Sequence, residues 1–417
     1  MASLKIFLTL AILLTIATKT STCTSSLSLS SSSSSSSTRV KGIYWIENPL
    51  FPPSSINTSL FTHIFYAFIT PDNVTYKLQP STSQTTSFTI FTNTFKTKTP
   101  PATTLLSIGG AGSNSTLFTI IASNATARAA FINSTIDVAR TFGFDGIDFD
   151  WEFPKTSNEM NSLGELFLQW RNAIAAESSV TGKPPLLLTA AVYFAASFFL
   201  SGEPRTYPVD SINKNLDWIN VMSYDLHVST SNETGAPSGM FDPKSNVTVS
   251  SGLISWIRVG VLPEKLVMGM PLYGKTWQLE DPKVNEIGSP SVGAGPGMDG
   301  SMAYFQVLEF IKLTRAKVVY DVDTVSVYTY SGSTWIGYDD PFTVSIKIGF
   351  AQAFSLRGYF FWVAGLDTFD WKISTQGKFK TFFLHLIVLS ILRLTRKEGS
   401  RKYNDKEDVG FISSHPS

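Results

Sequence analysis

Residues 145–154 read DGIDFDWEFP, and this stretch decides how the rest of the chain is interpreted. Side chains alternate across a strand, so Asp148, Asp150 and Glu152 share one face, and the apolar side chains between them share the other. The apolar face has to pack against helices, because burying it there removes it from water. The three carboxyl groups therefore point to the opposite side of the sheet.

Seven further runs of apolar residues bounded by turn residues accompany this strand, with amphipathic helical stretches between them. Eight β-then-α units over about 340 residues predict an α/β fold, a (β/α)8 TIM barrel whose interior receives the three carboxyl groups. The predicted strands are 42–45, 63–69, 104–108, 146–150, 186–192, 218–222, 266–270 and 358–362. The helix candidates include 127–142, 158–177, 246–258 and 342–355, each with apolar residues three and four apart.

A longer connection separates the seventh strand from the eighth. After Tyr273-Gly274 the sequence predicts a Gly/Pro-rich loop, a helix near 303–315 and β-rich segments at 317–322, 325–330 and 334–338. We expect these residues, roughly 275–341, to form a small α+β insertion subdomain that stands at the rim of the barrel as one wall of a cleft.

Composition excludes several classes of function. The chain has 417 residues, with 33 Lys+Arg against 32 Asp+Glu. Its net charge of +1 lacks the excess of positive charge that is typical of proteins that bind nucleic acid. Aromatic residues make up 13% and charged residues 16%, a balance that suits a neutral substrate bound by ring faces. The single cysteine, Cys23, excludes a disulfide scaffold and a Cys-based zinc site.

Both ends of the chain carry targeting features. Residues 1–23, with an apolar run at 6–17, predict a signal peptide and secretion, since a run of about 12 residues is too short to span a bilayer; an anchor is the alternative. The Ser-rich residues 24–38 predict a disordered spacer. Seven Asn-x-Ser/Thr sequons agree with secretion.

The C-terminal segment 378–417 diverges in character from the rest. An apolar run at 381–392 precedes a charged stretch, which favours an extended last helix with a disordered tail. Membrane anchoring through 381–392, which would make the protein a cell-surface ectodomain, is the alternative.

The row of acids predicts acid catalysis. Burying three carboxylates costs several kcal/mol each unless they are paired or protonated, and the strand contains no Lys or Arg. Neighbouring carboxylates suppress each other's ionisation, so the outermost, Glu152, is expected to stay protonated and act as a general acid at the C-terminal end of its strand. Asp150 is its nearer partner, and Asp148 tunes Asp150. The alternatives are structural acids bonded to backbone or a distant Arg, and a Mg²⁺ or Ca²⁺ site with ligands from other strands.

The pattern Asp145-x-x-Asp148-x-Asp150-x-Glu152 resembles the signature of glycoside hydrolase family 18. Further stretches fall where that family has its second signature and its substrate contacts: residues 107–110 (SIGG), 222–225 (MSYD), 273–274 (YG) and Trp362. The resemblance covers residues 39–377 and is greatest to plant class V chitinases.

The resemblance implies a monomeric enzyme without cofactor or metal that hydrolyses β-1,4 bonds between N-acetylglucosamine units of chitin or its oligosaccharides. It also implies retention at the anomeric carbon and attack by the substrate's own acetamido oxygen. Glu152 would protonate the leaving oxygen, Asp150 would orient the acetamido N–H, and Tyr224 would bind the acetamido carbonyl. Asp225 is expected to contact the substrate, and it is a weaker candidate for a protein nucleophile.

Other residues are assigned to substrate binding or to the structure. Trp362 is expected to form the floor beneath the reacting sugar, unless it is an ordinary core residue. The lower-ranked substrate contacts are Met222, Tyr44, Phe68, Tyr193 and Trp277, and the structural positions are Asp145, Ser107, Gly109 and Gly110. A chitin-binding lectin on the same fold is the second hypothesis; Glu152, the acid that such lectins commonly lack, favours the enzyme.

Overall fold

The computed structural model describes residues 39–200 and 203–378. The strands are, in chain order, β1 (Val40–Ile46), β2 (His63–Ile69), β3 (Thr103–Gly109), β4 (Gly146–Asp150), β5 (Leu187–Val192), β6 (Ser197–Leu200), β7 (Glu203–Thr206), β8 (Trp218–Val221), β9 (Leu266–Pro271), β10 (Tyr273–Leu279), β11 (Ser291–Ala294), β12 (Ser301–Ala303), β13 (Lys317–Asp321), β14 (Ser326–Ser331), β15 (Thr334–Tyr338) and β16 (Gly358–Trp362). The α-helices are α1 (Thr82–Thr97), α2 (Ser115–Ser123), α3 (Ala125–Phe142), α4 (Ser157–Thr181), α5 (Val209–Asn215), α6 (Val249–Arg258), α7 (Tyr304–Thr314) and α8 (Pro341–Ala353). Short 3-10 helices lie at Pro53–Ser55, Pro263–Lys265 and Ser374–Lys378.

Eight parallel strands close into a barrel in the order β1-β16-β9-β8-β5-β4-β3-β2. They are the eight predicted strands, with ends that differ by at most two residues. The predicted α/β fold, a (β/α)8 TIM barrel, is therefore confirmed. Such barrels place their functional groups at the C-terminal ends of the strands.

The outward face of β4 packs against helices as predicted. The ring of Phe149 lies edge-on to Phe118 of α2 and Trp170 of α4, with centroid distances of 5.1 and 5.7 Å. These contacts fix the rotation of the strand, since a shift by one residue would move every side chain to the opposite face. The carboxyl groups of Asp148 and Asp150 consequently lie inside the barrel, buried.

Some helices were outside the prediction. Helix α1 is rich in Ser and Thr, which have modest helix propensity, and this composition masked its pattern. Its N-terminus is nevertheless marked by a capping box of Ser81 and Gln84, and Phe88, Phe91 and Phe95 recur at spacings of three and four to form its buried face. The prediction also lacked α2, α5 and the β6–β7 hairpin, which are all short.

The insertion between the seventh and eighth barrel strands is an α+β unit, as predicted. Its sheet runs β11-β10-β15-β14-β13, with β12 beside β10, and α7 accompanies it. The Gly/Pro-rich loop predicted after Tyr273-Gly274 begins later than expected, because β10 continues from Tyr273 to Leu279. A glycine weakens the strand signal, but here it allows close approach, since a Cβ at Gly274 would lie 2.8 Å from the carbonyl oxygen of Gly337 on β15.

A buried ion pair anchors the return from the insertion to the barrel. The ammonium of Lys347 on α8 lies 2.6 and 2.5 Å from the two carboxylate oxygens of Asp339, just after β15. It also donates to the carbonyl oxygen of Ser238 at 2.5 Å, in the loop that follows β8. The cation thus joins the start of the return segment to the loop after β8, which is more than 100 residues earlier in the chain.

The predictions for residues 1–23, 24–38, 381–392 and the tail lie outside the described residues. Within the described ranges, no helix is both long enough and apolar enough to cross a membrane.

Candidate active site

The carboxylate of Asp148 is buried and accepts hydrogen bonds from four side chains. The register aligns it with Ser107 on β3 and Thr189 on β5, whose hydroxyls donate to it at 2.8 and 2.6 Å. Tyr44 donates its hydroxyl at 2.8 Å, and the Asn220 amide lies at 3.3 Å. Burial raises the pKa of Asp148, while these four hydrogen bonds lower it, and burial outweighs them.

Asp150 has no such donors beside it. The register places Gly109 and Ala191 next to it, and neither has a polar side chain. Its Oδ1 is buried and finds no hydrogen-bond partner within the described part of the chain. Burial raises the pKa of Asp150 well above its usual range, and the charges of Glu152 and Asp148 raise it further. Asp150 therefore has one unused acceptor, and its environment favours the protonated form.

Glu152 lies two residues beyond Asp150, just past the end of β4 and half-buried. Burial raises its pKa to about 7, and the charge of Asp225 adds to that shift. The sequence predicts that the other acids of the same strand cause this shift. The second contribution comes instead from a carboxylate on the segment after β8, a neighbour that only folding brings close.

Asp225 is held by two residues of β10. The hydroxyl of Tyr273 donates to its Oδ1 at 2.8 Å, and the ammonium of Lys275 lies 3.3 Å from the same oxygen. The backbone of Asp225 is left-handed, with φ of +55°, which is uncommon for a residue other than glycine. Sequence analysis did not single out Lys275; its position two residues after Tyr273 on one strand, hence on the same face, was the available signal.

Tyr224 lies on the segment that follows β8, near the acids. It is half-buried, and its ring lies 6.1 Å from that of Phe360 inside the barrel. Burial raises the pKa of Tyr224 well above its usual range, followed by the charges of Asp150 and Glu152. Its hydroxyl is therefore a neutral donor near both acids. Met222 is also half-buried and packs on the same inner cluster.

Trp362 closes β16 and is half-buried. It stacks on Phe68, with centroids 5.7 Å apart and planes 28° from parallel, and Tyr44 lies 5.3 Å away from it. An indole that is fixed from one side and open on another is suited to stacking on the C–H face of a sugar.

Two predicted substrate contacts are wrong. Tyr44 is 1% exposed and donates its hydroxyl to Asp148, so it supports the acids from within the barrel. Trp277 is 0% exposed and packs 5.3 Å from Trp335 in the core of the insertion, because the far end of β10 is covered by its own sheet. Tyr193 is half-buried between Phe153 and Phe198, so its role as a contact stays a prediction.

The structural positions have separate tasks. Asp145 lies at the opposite end of β4, where its carboxylate accepts from the backbone and hydroxyl of Thr104 on β3 at 2.8 and 3.0 Å. Gly109 has φ of +120°, and a Cβ there would lie 1.9 Å from the carbonyl oxygen of Asp150. Gly110 has φ of +87°, and a Cβ would meet the ring of Phe68 at 2.7 Å.

Sequence analysis also missed Thr189 and Asn220, which complete the network around Asp148. The available signal was a polar side chain at an inward position of an otherwise apolar barrel strand. A metal site was the rival interpretation of the acids. In residues 39–200 and 203–378, no group of three or more His, Cys, Asp or Glu is placed to hold a metal ion.

Comparisons with known proteins agree with this geometry. Residues 32–367 match the family described as glycosyl hydrolases family 18. The chain is 74% identical to Nod factor hydrolase protein 1 and 72% identical to class V chitinase CHIT5b, both from Medicago truncatula; each alignment covers 82% of this chain and 90% of the relative.

The fold comparison agrees. The structure of a class V chitinase from Nicotiana tobaccum in complex with NAG4 superimposes with a TM-score of 0.78 at 38% identity, covering 81% of this chain and 97% of that one. The fold, the acid strand and the sequence all agree with those of this family. The chain therefore belongs to glycoside hydrolase family 18, resembles plant class V chitinases and is a glycoside hydrolase.

Proposed function

We propose that this protein is a secreted chitinase that cleaves β-1,4 bonds between N-acetylglucosamine units with retention, using the substrate's acetamido group as nucleophile. The observation that carries the proposal is the pairing of Glu152, whose pKa is raised to about 7, with the buried Asp150, whose Oδ1 has no partner among the described residues. One supplies a proton, and the other supplies an acceptor for a substrate N–H.

Glu152 serves as the general acid. With a pKa of about 7 it is largely protonated in mildly acidic solution, which matches the requirement for donating a proton to the oxygen between two sugars. As the C1–O bond breaks, that oxygen takes the Glu152 proton and leaves as a hydroxyl group of the released sugar. Glu152 is then a carboxylate, ready to take a proton from the incoming water.

The acetamido oxygen forms the new bond to C1. Asp150 accepts the acetamido N–H through its unused oxygen, and Tyr224 donates its hydroxyl to the acetamido carbonyl, which gathers charge as the ring closes. Water then attacks C1, its proton returns to Glu152, and the ring reopens. Two attacks at C1 restore the original configuration.

Asp225 is the other carboxylate near the reaction centre, and one of its two oxygens is already engaged. Its Oδ1 already accepts from Tyr273 and pairs with Lys275. Attack by this oxygen would break both contacts. A nucleophile from the substrate requires no such loss.

The central test measures reducing ends released from chitin hexamer and from cello-hexaose of equal length. We expect cleavage of the chitin oligomer alone, because the glucose oligomer has a hydroxyl where the nucleophile must be. Comparable cleavage of the cello-oligomer, or a sugar ester trapped on Asp225, would reject substrate assistance.

One variant, compared with a matched control, tests the role of Glu152. Glu152→Gln should lower turnover at least 100-fold while retaining oligosaccharide binding, because it keeps the shape and deletes the proton donor. The matched control is Glu309→Gln, at an exposed position of α7. Activity of Glu152→Gln within tenfold of wild type would overturn the assignment. Loss of activity with EDTA and its return with a divalent ion would favour a metal mechanism.

Secretion and the monomeric state are part of the proposal. Support for secretion comes from the sequence of residues 1–23 and from the sequons. Sequencing the N-terminus of the protein recovered from culture medium tests it, and retention in carbonate-washed membranes would favour the anchored alternative. Gel filtration with light scattering tests the monomer.

A Nod factor is a second candidate substrate. The relative named Nod factor hydrolase protein 1 is 74% identical to this chain, against 72% for the relative named as a class V chitinase, so identity does not choose between them. Parallel assays of one preparation on chitin oligomers and on Nod factors would decide which has the higher kcat/KM.

A further inference from the structure

The barrel and the insertion meet at a pair of opposite charges beside the active site. Asp225 follows β8 of the barrel, and Lys275 lies on β10, the first strand of the insertion. The Lys275 ammonium lies 3.3 Å from Asp225 Oδ1 and 3.1 Å from the Ser301 hydroxyl on β12. The Lys275 side chain is 14% exposed and that of Asp225 is 36% exposed, so water screens this pair only in part.

The position of Asp225 is held from two sides. The backbone of Asp225 is in the left-handed conformation. The Tyr273 hydroxyl donates to Asp225 Oδ1, the oxygen that also faces Lys275. The carboxylate of Asp225 is also close enough to Glu152 for its charge to act on that side chain. Lys275 therefore contacts Asp225, and the charge of Asp225 in turn acts on the proton donor.

The charged and titratable groups around this chain come from four elements. They are Asp150 on β4, Tyr207 after β7, Tyr224 after β8 and Tyr273 on β10, together with Glu152, Asp225 and Lys275. Burial keeps the phenols neutral, since it raises the pKa of all three. Lys275 is the cation of this set, and the carboxylate that it pairs with is Asp225.

We propose that Lys275 is a positioning residue that fixes the Asp225 carboxylate, offsets part of its charge, and so sets the pH range in which Glu152 keeps its proton. This inference rests on the proposed function, in which Glu152 is the acid. Without Lys275, the charge of Asp225 acts on Glu152 without its counterion. A negative charge favours the protonated form of a neighbouring carboxyl group, so Glu152 would hold its proton to higher pH.

The experiment is the pH profile of kcat/KM on chitin oligomers for wild type, Lys275→Met and Lys275→Arg. The alkaline limb of Lys275→Met should move upward by about 0.5–1 pH unit, the effect expected of one charge acting through a neighbour. Lys275→Arg keeps the charge and should restore the wild-type limb. The control Lys312→Met, at an exposed position near the end of α7, should leave the profile unchanged.

A double-mutant cycle with Asp225→Asn separates this role from direct contact with the sugar. Asp225→Asn alone should move the alkaline limb of the profile to lower pH. Adding Lys275→Met to the Asp225→Asn variant should cause no further shift. A Lys275→Met variant with higher KM and an unmoved limb would overturn the inference, and so would a shift that persists without Asp225. Lys275→Gln replaces Lys275→Met in the cycle if the latter is poorly folded.

A readout that needs no turnover distinguishes failure of this inference from failure of the proposed function. In protein labelled with carboxyl ¹³C-glutamate, the resonance missing from Glu152→Gln reports the titration of Glu152. Its midpoint should rise in Lys275→Met. An unchanged midpoint rejects the inference even in an inactive protein, whereas a shifted midpoint without release of reducing ends rejects only the chitinase proposal.

Discussion

Replacing Glu152 by Gln is expected to stabilise the fold while it abolishes hydrolysis, and the stabilisation should depend on pH. The pKa of Glu152 is raised from 4.5 to about 7 by burial and by Asp225. Between these two values the folded state holds a proton that the unfolded chain has released. The wild-type free energy of unfolding therefore falls as pH rises through this window.

The magnitude follows from the shift. A difference of about 2.5 pKa units at 1.36 kcal/mol per unit gives about 3 kcal/mol. Gln carries no charge at any pH, so the variant escapes this penalty. The free energy of unfolding of the variant minus that of wild type should be constant below pH 4.5. It should increase by about 3 kcal/mol between pH 4.5 and 7 and be constant again above pH 7. Relief of Asp150, whose pKa the charge of Glu152 raises, adds in the same direction.

Urea unfolding followed by tryptophan fluorescence, at intervals between pH 4.5 and 8.5, measures the difference directly. Glu309→Gln, at its exposed site on α7, is the matched control and should show a flat difference. A Glu152→Gln difference that stays within about 0.5 kcal/mol over this range would refute the reasoning, because Glu152 would then titrate alike in the folded and unfolded states.

Three further perturbations test other parts of the structure. Tyr224→Phe should lower kcat about tenfold or more with little change in oligosaccharide binding, because its hydroxyl bond strengthens as charge develops; near-wild-type turnover would mean that the ring only packs. Lys347→Met should destabilise the fold by about 3–5 kcal/mol in urea, since it leaves Asp339 charged, buried and without its cation, and adding Asp339→Leu should recover part of the loss. His63 is buried with its pKa lowered to about 4, so wild type should lose up to about 3 kcal/mol relative to His63→Gln as pH falls from 6.5 to 4; parallel pH dependence of the two proteins would contradict this.

The sequence by itself determined the barrel and its acid strand. Eight apolar runs with helical stretches between them specify parallel strands that must be covered on their outer face, and alternation along residues 146–152 fixes which side chains point inward. These patterns are local, with periods of two and of three to four residues, so they can be read without knowing which strands are neighbours. The same reasoning located the α+β insertion from its strand and helix patterns.

Only the tertiary structure decided what surrounds each acid. Asp148 obtains its donors from four other strands, and the register leaves Asp150 beside Gly109 and Ala191 with an unused oxygen. The pKa of Glu152 depends on burial and on Asp225, 73 residues further along the chain (225 − 152). Electrostatic and hydrogen-bonding environments depend on distances between side chains, and those distances exist only once the barrel has closed and the insertion has packed against it.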